Sequence, residues 1–114
     1  MKLDRNINVD GRGKYAILRL RKLDDYIDPA DPFAEVAEPI AKAIKTLEDA
    51  GILDWGLVGT DGEFFLIRLK DRYATAALQA YASEAGKEDP EYAREIANMI
   101  PRSGHFSPWC KKPD

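Results

Sequence analysis

Histidine and cysteine are almost missing from this 114-residue chain; His105 and Cys110 are the single copies of each. A structural zinc site wants about four such ligands, so this pair cannot build one. A lone cysteine forms no internal disulfide, which points to a reducing compartment. A Cys–His nucleophile pair would need a third group to orient it, and none stands nearby in the sequence. Long apolar runs are missing as well. None approaches the ~18 residues of a membrane span, and the opening MKLDRNINVDGRGK has no apolar core of the kind a signal peptide carries. The expected location is therefore the cytoplasm, with no membrane partner. Positive charge is not in excess either. A formal net charge of −3 gives the protein no global positive field, which weighs against nucleic acid as a general partner and leaves only local basic patches.

What is present reads as an ordinary globular protein. The hydrophobic and charged fractions, 45% and 32%, are too balanced for a disordered chain. The length fits one domain over residues 1–114, able to bury roughly two-thirds of its unfolded surface. Residues 102–114, RSGHFSPWCKKPD, follow the last helical pattern as an irregular tail.

Two segments resemble one another. GKYAILRLRKL (13–23) and GEFFLIRLKDR (62–72) each begin with aromatic or apolar residues, alternate, and then gather basic ones. In a strand, successive side chains point to opposite faces. Residues Ala16, Leu18 and Leu20 would share the core side of the first segment, with Tyr15, Ile17, Arg19 and Arg21 opposite. In the second, Phe65, Ile67 and Leu69 oppose Phe64, Leu66, Arg68 and Lys70. Gly-Thr-Asp-Gly (59–62) separates ILDWGLV from the second segment as a hairpin turn would.

Helical signals fill the rest. Asp31 and Pro32 offer a start, the stripe Phe33, Val36, Ala37, Ile40, Ile44 and Leu47 runs to about Ala50, and Gly51 stops it. Pro39 falls inside that pattern, where a helix must kink or restart. Asp71 precedes a second stripe, Ala74, Ala77, Leu78, Tyr81 and Ala85, closed by Gly86. Asp89–Pro90 opens a third, with Tyr92, Ile96, Met99 and Ile100 inward and Pro101 at its end. The order β-α-β-β-α-α predicts an α+β fold: a three-stranded mixed or antiparallel sheet with helices packed mainly on one face.

If the two similar strands lie in that sheet, one face gathers Tyr15, Phe64, Arg19, Arg21, Arg68 and Lys70. Rings among cations could stack bases and meet phosphates. The same face could equally pack on a helix or a second subunit, with the basic stems covering apolar surface. Phe106 and Trp109 in the tail are further candidate anchors, since large aromatics dominate interface energetics.

Other groupings carry less. Asp24, Asp25, Asp28 and Asp31 crowd together without the central Gly and closing Glu of a calcium loop, so capping and solvation explain them. DGRGK lacks phosphate-loop spacing and precedes a strand pattern instead of a helix. The helix–strand–turn–strand run from Ala43 could suggest a winged helix, but the helices that should come before it are replaced by a strand pattern and a loop.

NINVDGRGKYAILRLRKL, LEDAGILDWG, EFFLIRLKDRYATAALQAYA and SPWCKKPD together resemble a family of small bacteriophage and prophage proteins of uncharacterised function. That resemblance implies the cytoplasm of an infected or lysogenic bacterium and no activity transferable to a residue. The expectation is a non-enzymatic binding protein, most simply a homodimer, with no cofactor and no metal. Its partner would be a host protein, met through the mixed face or the aromatic tail. The alternative is a nucleotide or single-stranded nucleic-acid binder using the same face.

Overall fold

The computed structural model describes residues 14–26 and 37–113, which hold three α-helices, three short 3-10 helices and no β-strand. The α+β expectation is therefore overturned: among the described residues there is no three-stranded sheet for helices to cover. Residues 15–19 are irregular and lead into a 3-10 helix, Leu20–Tyr26, where a strand over 15–22 was expected. Residues 52–57 and 63–68 are likewise neither helix nor strand. The chain divides into two compact units, Ile17–Phe65 and Met1–Ala16 with Leu66–Asp114.

In the Ile17–Phe65 unit, helix α1 spans Glu38–Asp49. Pro39 sits in its first turn, where a missing N–H costs nothing, so the proline resets the helix start instead of kinking it. The expected start at Asp31 and Pro32 lies outside the described residues. Thr46, Glu48 and Leu47 carbonyls take the amides of Ala50, Gly51, Ile52 and Leu53, which turns the chain out of the helix. Beyond it, Asp54 Oδ1 accepts from the Gly56 amide at 2.8 Å, and Gly56 adopts φ +61°. This local bond competes with strand pairing, and it breaks ILDWGLV at its centre.

The Gly-Thr-Asp-Gly turn does form. Thr60 N donates to Leu57 O, Glu63 N to Thr60 O, and Glu63 Oε1 accepts from Gly59 N at 2.8 Å. No ladder follows on either side. A side chain at Gly56 would strike the Phe64 ring, and one at Gly62 would strike the Asp54 carboxylate, so the two arms touch through side chains and not through backbone bonds. A two-stranded hairpin is marginal in water, and β-propensity expresses itself only where a partner strand supplies packing. The alternation is present in the sequence, but nothing among the described residues pairs with it.

The second unit is better packed. Helix α2 spans Ala74–Ala85 and helix α3 Pro90–Ala97, and these two helices pack on each other. Asp89 caps α3 by accepting from Tyr92 N at 3.0 Å. Ala74 and Ile96 are the buried apolar residues among those described. Tyr81, expected inward, is half exposed; its ring meets Tyr92 edge-on at 6.2 Å, and the two hydroxyls lie 3.2 Å apart. The 3-10 helices Ile100–Arg102 and Gly104–Phe106 follow.

Candidate interaction surfaces

The tail docks through its backbone, not through its rings. Gly104 N donates to Leu69 O at 2.8 Å, Lys111 N to Lys70 O at 3.1 Å, and Arg72 N to Lys111 O at 2.9 Å. The last two form a single parallel bridge between Asp71 and Lys111. Ser103 and Gly104 are buried and Ser107 nearly so, whereas Phe106 and Trp109 remain exposed, Trp109 at 75%. The residues that seat this segment are thus two serines and a glycine. Sequence reasoning passed over them because small polar residues in a loop look solvated. The one available signal was Ser-Gly directly after Pro101–Arg102, a turn signature that also permits close backbone approach.

The residues expected on one mixed sheet face are dispersed. Arg19, Arg21 and Phe64 belong to the Ile17–Phe65 unit; Tyr15, Arg68, Lys70, Phe106 and Trp109 belong to the other. Tyr15 lies in an irregular segment, Arg19 just before the first 3-10 helix and Arg21 within it. Arg68 opens a turn in which its carbonyl accepts from Asp71 N, and Lys70 is the one predicted residue that the fold joins directly to the tail. With no sheet among the described residues, the mixed face does not exist as a surface.

Two different surfaces take its place. The first is apolar. In the Ile17–Phe65 unit no described residue is buried. Val58 and Phe65 are 90% and 89% exposed, and Ile52, Leu57 and Phe64 are each well over half exposed. From Phe64 to Ile67 neither the backbone N–H nor the carbonyl groups have a hydrogen-bond partner among the described residues. The second surface is basic and lies in the other unit. The bridge at Asp71 sets Lys70 and Arg72 beside Lys111 and Lys112, with Arg102, Phe106 and Trp109 on the same tail.

Neither surface is organised for chemistry. An open depression of about 380 Å³ in the Ile17–Phe65 unit is lined by Gly51, Leu53, Asp54, Trp55, Leu57, Thr60 and Asp61. Its Asp54 carboxylate is already engaged with the Gly56 amide, and Trp55 Nε1 donates to Glu48 at 3.1 Å. Among the described residues no three His, Cys, Asp or Glu side chains converge as a metal site would require. His105 lies exposed in a 3-10 turn and Cys110 is half buried. Asp28 and Asp31 fall outside the described residues. The one displaced titration among the described residues belongs to a cap: the Tyr92 amide holds the Asp89 carboxyl below the ordinary carboxylate range. Among the described residues no helix is long and apolar enough to cross a membrane. Comparison with protein families, with curated proteins and with solved structures finds no match to this chain.

Proposed function

We propose that this protein is a non-enzymatic interaction protein whose Ile17–Phe65 unit is completed by another polypeptide chain. One observation carries the reading: that unit buries none of its described side chains while exposing Val58, Phe64 and Phe65. Ordering each residue costs about 1–2 kcal/mol of backbone entropy, and apolar burial is the main term that offsets it. A unit without burial lacks that term. A contiguous apolar patch bordered by acids and bases is also how protein contact sites present themselves. The phage or prophage setting rests on the resemblance of the sequence alone.

Hydrogen exchange tests this. In the isolated monomer, amides over 52–67 should exchange freely, and they should become protected only as the protein associates. Strong protection of 37–67 in a species sedimenting as a 12.8 kDa monomer would sink the reading.

The basic tail surface favours a second reading, a binder of single-stranded nucleic acid. Arg68, Lys70, Arg72, Arg102 and Lys112 form no ion pair among the described residues. Exposed rings beside such cations allow bases to stack while phosphates are neutralised. The site differs from the sheet face expected from sequence, and its local charge stands against a net charge of −3. Fluorescence anisotropy of a labelled single-stranded oligonucleotide at two salt concentrations decides it. Arg102→Gln with Lys112→Gln should lower the salt slope by about two. Absence of binding at low salt ends this reading.

A further inference from the structure

The irregular stretch between the turn and the tail's docking site has bounds that coincide with a change of chemistry. On its N-terminal side Glu63 closes the turn through its amide and its carboxylate. On its C-terminal side the carbonyls of Arg68, Leu69 and Lys70 are taken by Asp71, Gly104 and Lys111 amides. What remains without backbone bonds among the described residues is Phe64, Phe65, Leu66 and Ile67, four apolar residues in a row. Such a row of unmet donors and acceptors is a template for pairing with another chain.

The flanking charges say which chain. Asp61 and Glu63 precede the apolar four, and Arg68 and Lys70 follow. Acids on one side and bases on the other make the segment complementary to itself when reversed. We infer that Asp61–Lys70 pairs antiparallel with the same segment of a second copy, about a two-fold axis between Phe65 and Leu66. In this register Glu63 faces Arg68 of the other copy, Asp61 faces Lys70, Phe64 faces Ile67, and Phe65 faces Leu66. Directly opposed residues share a face, so each acid meets a base and each apolar residue meets another.

A parallel arrangement would set Glu63 against Glu63 and Arg68 against Arg68, which is disfavoured for like charges. Moving the axis by one residue would bring unlike chemistry together and misplace the free backbone groups. The two-fold contact is closed, using the same patch on both partners, which is the commonest symmetry of soluble oligomers. It also covers Phe65, one of the most exposed apolar side chains. The carboxylate of Glu63 keeps acceptor capacity beyond its bond to Gly59, since two oxygens offer about four sites.

This pairing rests on the reading that another chain completes the exposed unit, and charge reversal separates the two. Glu63→Lys would set an introduced ammonium against the Arg68 guanidinium twice per dimer, and Arg68→Glu would set an introduced carboxylate against that of Glu63 twice. Each single variant should dimerise about ten-fold or more weakly than the parent protein in sedimentation equilibrium. The double variant Glu63→Lys, Arg68→Glu should regain dimerisation. An equimolar mixture of the two single variants should form a heterodimer in native mass spectrometry, since both of its cross pairs join groups of like sign only within each homodimer and never between the two variants. Far-UV circular dichroism establishes that each variant retains its helices. A dimer indifferent to both reversals overturns the register while leaving association intact. Single variants that dissociate with no recovery in the double variant or the mixture also overturn it. A parent protein that stays monomeric with residues 64–67 protected overturns both.

Discussion

Thr75 donates its hydroxyl proton to Ser103, 2.9 Å away and 28 residues later. The direction follows from the single hydroxyl proton of Ser103, which goes to Ile100 O at 2.7 Å. Ser103 can therefore only accept from Thr75. This relay fastens the start of α2 to the turn that begins the tail, and Gly104 beside it adopts φ +54° with its α-carbon directly against Thr75.

Gly104→Ala should thus be the most damaging small substitution in the tail. The left-handed backbone costs a non-glycine residue roughly 1–2 kcal/mol, and the added methyl would also strike the Thr75 hydroxyl. Thr75→Val should cost about 1 kcal/mol, the usual net worth of one hydrogen bond. Urea denaturation at fixed protein concentration checks both. Equal stability of Gly104→Ala and the parent would show that this turn is not held as described.

Asp89 supplies a pH-dependent contribution whose sign is set by its cap. Its folded carboxyl titrates below the ordinary value of 3.8 because the Tyr92 amide stabilises the charged form. A lowered folded-state value means the contribution is complete above the ordinary value and is lost as pH falls through the lowered one. Asp89→Ala should lower the melting temperature at neutral pH and flatten the stability profile in the acid range. Asp89→Asn should keep the cap, since Asn serves nearly as well at that position, while losing the pH dependence. Thermal melts of the three proteins between pH 2 and 7 compare these directly.

The helices were legible in the sequence because their signals are local. Asp89–Pro90, Pro101 and the Ala-rich stripe act within one or two turns of the residues they govern, and α2 and α3 appear where they point. Pro39 was legible as a break, and α1 begins beside it. The strands were not, because alternation states only that a segment would suit a sheet. Whether one forms depends on a partner that the sequence of one chain does not specify. The mixed face fell with the sheet, and of its members only Lys70 reappears at a surface assembled by the fold. Phe106 and Trp109 stand out by size, yet Ser103, Gly104 and Ser107 hold the segment, and burial of small residues leaves no periodic trace.

The two aromatic rings should accordingly be dispensable for folding. Phe106→Ala and Trp109→Ala should each change stability by no more than about 0.5 kcal/mol, as surface substitutions usually do. Ser103→Ala, at a residue with 0% exposure, should cost more, because it leaves Thr75 without its acceptor and Ile100 O without its donor. Chemical denaturation of these variants ranks them. If Trp109→Ala weakens oligonucleotide binding about ten-fold while stability holds, the ring acts as a stacking platform and not as a structural anchor. A large loss of stability in Trp109→Ala would instead make it part of the packed unit.

Removing residues 103–114 should do more than loosen the end of the chain. The truncation deletes the donors to Leu69 O and Lys70 O and the acceptor of the Arg72 amide. The unbonded stretch that begins at Phe64 would then run on to Lys70, and the cations Lys111 and Lys112 that now border it would be gone. A longer free edge with fewer flanking charges is prone to pair without closing. The truncated protein should therefore form species larger than a dimer, seen by light scattering and size-exclusion chromatography, with faster exchange of the Arg72 amide. Ending the chain after Lys111 keeps all three backbone bonds and should leave the oligomeric state unchanged. If both truncations behave like the full chain, the tail does not limit association, and the edge must end at Arg68 for another reason, the turn that returns its carbonyl to Asp71.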